Sequence, residues 1–139
     1  MKKLLVIWGM AFLLLLCGGT VSAQDKGYDV FVPISKYITQ GDAASLSAWF
    51  SDNLEVSIIS SVRNCSRSQA RQIVKTFFEA YTPRSFEISH KASQSNMKYA
   101  LGQLNAGGEV FIVTIFVSSC QDGTYRIQQF KIDRQTEVY

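Results

Sequence analysis

Beyond residue 28 the apolar positions follow two rhythms, one of helices and one of strands. Val30, Ile34, Tyr37 and Ile38 recur at helical spacing behind Asp29, which can cap a first helix. Pro33 is tolerable in the first turn, and Gly41 stops the helix. Asp42 is the next cap, and Leu46, Trp49 and Phe50 form the apolar side of a short second helix before the polar turn Ser51-Asp52-Asn53. From Leu54 to Ile59 the rhythm becomes alternation, with Leu54, Val56 and Ile58 on one face, which predicts a strand. Ser66-Arg67-Ser68-Gln69 has the form of a capping box opening a third helix. Its Ala70, Ile73, Val74, Phe77, Phe78 and Tyr81 make one broad stripe, which Thr82-Pro83 ends.

Four further strands are predicted, over 85–92, 97–105, 109–119 and 124–133, divided by the turns Gln94-Ser95-Asn96, Ala106-Gly107-Gly108 and Gln121-Asp122-Gly123. Turns this short imply an antiparallel meander. Between Val110 and Val117 both parities are apolar except at Thr114, so that strand needs cover on both faces. In the last strand Tyr125 and Ile127 share one parity while Phe130 and Ile132 share the other. A β-bulge at Gln128-Gln129 returns all four to one face and bends the sheet. The order of helix, helix, strand, helix and then four strands is α+β, a curved antiparallel sheet wrapped around three helices and enclosing a cavity.

The first residues carry a different signal. Lys2 and Lys3 precede an apolar run from Leu4 to Cys17, and Val21-Ser22-Ala23 has the small-residue pattern of a signal-peptidase site. The run is about 14 residues where a membrane span needs about 20. The expectation is a signal peptide over 1–23, cleaved after Ala23, and one exported domain over 24–139, periplasmic or extracellular, with no stable membrane span. Leu16 stands where acylation of Cys17 would want a small residue, which argues against a lipoprotein. Losing Lys2 and Lys3 lowers the formal net charge from +3 to +1, too little for an electrostatic nucleic-acid binder. Cys65 and Cys120 then remain in an oxidising compartment, where the one pairing open to them within the monomer is a disulfide.

Candidate chemistry is sparse. His90 is the only histidine, and its parity with Phe86 and Ile88 points it inward, toward core or pocket. A lone histidine is no metal cluster, and an acid or base would need a partner. Glu55 and Glu87 have the outward parity of their strands, Glu79 lies off the apolar stripe, and Glu109 and Asp122 sit at turns. No interior carboxylate, catalytic constellation, metal site or cofactor motif is evident. Arg67, Arg71 and Lys75, spaced by four, read as a solvated rim of the third helix. Tyr37, Trp49, Tyr99, Gln103 and Tyr125 can place polar tips around an apolar cavity, the composition that small-molecule pockets favour, or serve as ordinary core residues.

Several spaced segments carry a resemblance: Gln69-Ala70-x-x-Ile73 with Phe77-Phe78, Ser85-Phe86-x-Ile88-x-His90, Tyr99-x-x-Gly102-x-Leu104, and Tyr125-x-Ile127-Gln128-Gln129-x-x-Ile132. With the order of elements, they resemble an uncharacterised family of small exported bacterial proteins in the nuclear transport factor two-like, or cystatin-like, superfamily. The resemblance covers about residues 28–134 and implies a cone-shaped α+β domain with a pocket. That superfamily holds isomerases, cyclases, dehydratases, transport adaptors and non-enzymatic binders, so the implied fold does not imply an activity. Neither Cys65 nor Cys120 belongs to the family's pattern.

The function expected is therefore an exported non-catalytic domain, binding a small apolar or amphipathic ligand in a cone-shaped pocket through His90, Tyr99, Tyr37, Trp49, Gln103 and Tyr125, or acting as a protein-interaction module. The alternative is a cofactor-independent isomerase, cyclase or lyase using the same pocket. A homodimer through one sheet face is also expected, because Phe111, Val113, Ile115 and Val117 cannot share a core with Val110, Ile112 and Phe116. Parity alone leaves open which of the two sets is the outer one.

Overall fold

The computed structural model describes residues 29–135, and the expected leader lies outside them. Helix α1 (Phe31–Gln40) starts where expected: the Asp29 carboxylate accepts the Phe31 N–H at 2.9 Å, and Gly41, at φ 68°, closes the helix in the left-handed region. Helix α2 (Ala43–Ser47) is capped by Asp42, which accepts the Ser45 N–H at 3.0 Å. Helix α3 (Arg67–Ala80) opens on the full capping box, Ser66 and Gln69 each accepting the other's backbone N–H.

The strands are β1 (Phe50–Ile58), β2 (Ser61–Ser66), β3 (Pro83–Gln94), β4 (Met97–Ala106), β5 (Glu109–Ser119) and β6 (Tyr125–Arg134), in the sheet order β2-β1-β6-β5-β4-β3. Strands β3 to β6 form the expected antiparallel meander. The sheet as a whole is mixed, because β1 runs parallel to β6. That pairing corrects two boundaries. The Ile127 N–H donates to the Trp49 carbonyl at 2.7 Å and Phe50 registers with Ile127, so Phe50 opens β1 rather than closing α2. Ser51-Asp52-Asn53 then lie inside a strand instead of a turn. Strand β2, which the sequence does not announce, is an edge strand whose first four residues are exposed, and it returns on β1 through Ile59 and Ser60, both at positive φ.

One face of the sheet carries the core. Phe111, Val113, Ile115 and Val117 of β5 are fully buried on the helix side, with Phe130, Ile132 and Ile127 of β6 and Ala100, Leu104 and Ala106 of β4. The third helix lays Phe77 edge-on to Phe111 at a centroid separation of 5.1 Å, and Tyr81 does the same at 5.1 Å. Gly102 is required here by a close approach: a Cβ at that position would lie 2.6 Å from the Phe86 ring and 2.9 Å from the Glu87 carbonyl.

The sheet shifts register at four places, between Phe50 and Glu55, Pro83 and Ser85, Ile88 and His90, and opposite Phe116 and Val117, and the last two bear on the concave face. The expected one is present, since Phe116 pairs with Gln129 and Val117 with Ile127, leaving Gln128 as the extra residue. The second was not expected. Ile88 pairs with Gly102 but His90 with Leu101, so Ser89 is inserted and every later residue of β3 changes face.

Candidate functional site

The second bulge decides the fate of the sole histidine. His90 does not point into the core: it is exposed on the outer face, where its ring meets Tyr99 edge-on at 5.8 Å. Tyr99 in turn stacks at 5.1 Å on Phe116, and Gln103, also exposed on this side, donates to Gln135 at 3.1 Å. Three of the six pocket candidates therefore lie outside the cone. Tyr37 is a half-buried residue of α1 packed against the core.

The remaining two, Trp49 and Tyr125, do converge. The inner parity of β4 runs from Ala106 through Leu104, Gly102 and Ala100 to Lys98, and that of β6 reaches Tyr125 after Ile127. Toward this end of the sheet the covering helices give out, as α1 begins at Phe31 and α2 ends at Ser47. The concave face consequently opens into a cleft of about 670 Å³ lined by Val30, Trp49, Lys98, Tyr125 and Arg126, with backbone of the β5–β6 turn. This is the mouth of the cone. A shallower hollow of about 390 Å³ shares Lys98 and runs past Met97 to Tyr99 and Phe116.

The electrostatics of the mouth are built from both signs. The Lys98 ammonium sits 5.1 Å from the centroid of the Tyr125 ring, a cation–π arrangement. The Arg126 guanidinium donates to the Ala48 carbonyl at 2.7 Å, tying β6 to the end of α2. Lys91 pairs with Asp29 at the rim. Burial works to raise the Asp29 carboxyl, but the hydrogen bonds from Lys91 and the Phe31 N–H, with the charges of Lys91 and Lys98, outweigh it and hold the group below its ordinary value of 3.8. Asp122 in the β5–β6 turn is likewise lowered, chiefly by the Thr124 hydroxyl and N–H. Among the described residues Lys98 has no ion-pair partner within 4.0 Å.

The expected disulfide is not formed. Cys65 and Cys120 are free thiols, the first buried on β2 in register with Leu54 and the second just beyond β5, with β1 and β6 intervening. Burial pushes the Cys65 thiol above its ordinary value. Along α3, Arg67 pairs with Asp52 at 2.8 Å and Lys75 with Glu79 at 3.4 Å, which leaves the row of cations partly neutralised.

Lys98 and Arg126 are the mouth residues that pattern reading overlooked. For Lys98 a signal existed: it shares parity with Ala100, Gly102 and Leu104, so a charged residue continues an apolar face.

The fold places the molecule in a class. It superposes on an NTF-2 like protein of unknown function from Silicibacter pomeroyi with a TM-score of 0.60 at 18% identity, over 83% of this chain and 98% of that one. It also superposes on a ketosteroid isomerase-like protein from Erwinia carotovora atroseptica with a TM-score of 0.62 at 8% identity, over 75% and 89%. The domain is thus an NTF2-like, cystatin-like α+β fold. Within that class the model of a domain of unknown function, DUF4783, matches residues 31–133, and the chain belongs to this family. A DUF4783 family protein from Bacteroides uniformis is similar at 22% identity, with a TM-score of 0.71 over 76% of this chain and 99% of that one. No curated protein matches the sequence.

Proposed function

We propose that the chain is an exported, non-catalytic binding domain that receives a small amphipathic ligand at the mouth of its cone. The observation that carries this reading is the convergence of Trp49 and Tyr125 with Val30 around an open cleft of about 670 Å³, within the size range of small-molecule sites. Export rests on the pattern of residues 1–23. The non-catalytic part rests on the interior, where the only buried polar side chains among the described residues are those of Ser47 and Ser57. An isomerase or lyase of the ketosteroid type would need a carboxylate base inside the cavity, and Glu55, Glu79 and Glu87 all lie outside the core.

Trp49 is the only tryptophan beyond residue 23, so its fluorescence reports on the cleft without a label. Titration of the processed protein with a panel of fatty alcohols, fatty acids and aromatic acids should give saturable shifts of Trp49 emission for some members. An unchanged spectrum across the panel, with folding intact, removes the reading.

A second reading, a homodimer through the outer sheet face, is favoured by a separate observation. Tyr99, Leu101, Ile112 and Phe116 lie side by side there, each only partly buried, with the three helices all on the opposite face. The outer set is now identified, so the informative variant is Ile112→Lys and not a change at Ile115, which is core. Sedimentation at tens of micromolar should give a dimer for the unaltered protein and a monomer for Ile112→Lys. A monomer in both cases discards this interface.

A further inference from the structure

We infer that the ligand received at the mouth carries a carboxylate, with the Lys98 ammonium as its principal recognition group and the rings of Trp49 and Tyr125 as the walls for its apolar body. The inference rests on the binding function proposed above and adds the chemical class of the ligand.

The charge inventory of the mouth leads to this class. The charged residues that line it are Lys98 and Arg126, and next to the lining stand Lys91 with Asp29, whose carboxyl feels the charge of Lys98, and Asp122, which feels that of Arg126. Lys91 is committed to Asp29, and Asp122 is occupied by the Thr124 hydroxyl and N–H in its own turn while sensing the charge of Arg126. Both carboxyls are held below 3.8 and remain ionised at neutral pH, so neither can lend its site a proton. One positive charge is left over. Lys98 and Arg126 both lack a carboxylate within 4.0 Å among the described residues, but Arg126 is tied to the Ala48 carbonyl, whereas Lys98 stands on the inner parity of β4, facing the cleft rather than the open solvent beyond the sheet.

Position adds what charge alone does not. The ammonium rests over the Tyr125 ring, which holds it at the cleft wall where it can give a charge-assisted hydrogen bond to an anion. Arg126, next in the chain to Tyr125, spends a donor on the Ala48 carbonyl and has others to offer. Beside these two cations the lining is Val30, Ala48, Trp49 and Tyr125, and the next inward residues of β4 and β6, Ala100 and Ile127, are buried in the core. A cationic rim beside an aromatic and apolar wall suits a molecule with one anionic end and a hydrophobic remainder. Two sources supply that chemistry, a fatty acid and a planar aromatic acid, and both present the same carboxylate to Lys98.

The experiment compares decanoate with decanol, and 2-naphthoate with 2-naphthalenemethanol, by Trp49 fluorescence of the processed protein. At least one acid should bind, its alcohol should bind about tenfold more weakly, and Lys98→Gln should weaken the acid about tenfold while leaving the alcohol unchanged. Lys98→Arg, which keeps the charge, should restore most of the acid affinity, a result that a purely structural role for Lys98 would not produce. The arm that binds distinguishes the two sources. Alcohols binding as tightly as acids, or an acid indifferent to Lys98→Gln, would overturn carboxylate recognition while leaving the binding function in place. Silence from all four probes would overturn both.

Discussion

The concave face of this sheet has two ends that share strands and parity but not chemistry. At one end Gly102, Leu104 and Ala106 of β4 lie under Phe86, Phe77 and Tyr81, packed closely enough that a single added methyl at Gly102 collides with a ring. At the other end the same parity delivers Lys98 and Tyr125, with Trp49 opposite, into an open cleft. Position relative to the helices makes the difference. At the first end α1 packs against β3, and Phe77 of α3 and Tyr81 just beyond it reach Phe111, whereas the short α2 ends at Ser47. A cone fold therefore does not imply a hollow cone. Here the described interior is filled by side chains near Phe111, and what space there is lies at the rim.

Substitutions can break this comparison, and the largest effect is expected at the filled end. Phe111→Ala removes a fully buried ring that contacts Phe77 and Tyr81, and should cost about 3–5 kcal/mol, read as a fall in the midpoint of urea unfolding. A loss under 1 kcal/mol would mean that the filled end is not the stabilising half. Gly102→Ala should follow at about 1–3 kcal/mol, because the new Cβ faces the Glu87 backbone as well as a ring that must move.

Asp42→Ala tests the joint between α1 and α2, whose far end forms one wall of the mouth. Loss of the cap on Ser45 should cost about 1 kcal/mol at neutral pH. The Asp42 carboxyl is held below its ordinary 3.8 by the Ser45 N–H first and the Ser45 hydroxyl second. Its contribution is thus complete above the unfolded value and is lost as pH falls through the lowered folded one. Parallel melts of the two proteins should differ at pH 7 and draw together as the pH is taken below 3.8. A gap that stays constant over that range would show that the carboxylate is not the source of the effect.

The smallest stability effect is expected at the mouth. Lys98→Gln should shift unfolding by no more than about 0.5 kcal/mol, since the ammonium is tied to no carboxylate and buries little. A larger loss would make Lys98 part of the scaffold and erase the contrast between the two ends.

Much of this fold was legible along the chain for local reasons. Asp42 and the Ser66–Gln69 box announce helix starts because their side chains satisfy backbone N–H groups within the same turn. The bulge at Gln128 was visible because apolar residues stand on both sides of it, so the change of phase shows in the pattern. The bulge at Ser89 was not, because the stretch Ser89 to Gln94 has only Ala92 as an apolar marker and its alternation after Ile88 could run in either phase. That one residue moved His90 from the expected pocket to the outer face. Of the six pocket candidates, Trp49 and Tyr125 share the cleft, and the cations beside them were missed.

The helix caps, the meander, the curvature at Gln128 and the α+β order follow from contacts between residues close in the chain, which is why the residue pattern carries them. Tertiary structure alone decided the parallel seating of β1 on β6, the existence of the polar edge strand β2, which face of β5 is buried, and the separation of Cys65 from Cys120. These depend on hydrogen bonds and burial between segments far apart in the chain. A polar strand such as Ser61–Ser66 gains its order from the backbone of its neighbour, and an apolar residue such as Ile112 faces outward because the opposite parity of β5 is the one packed against the helices.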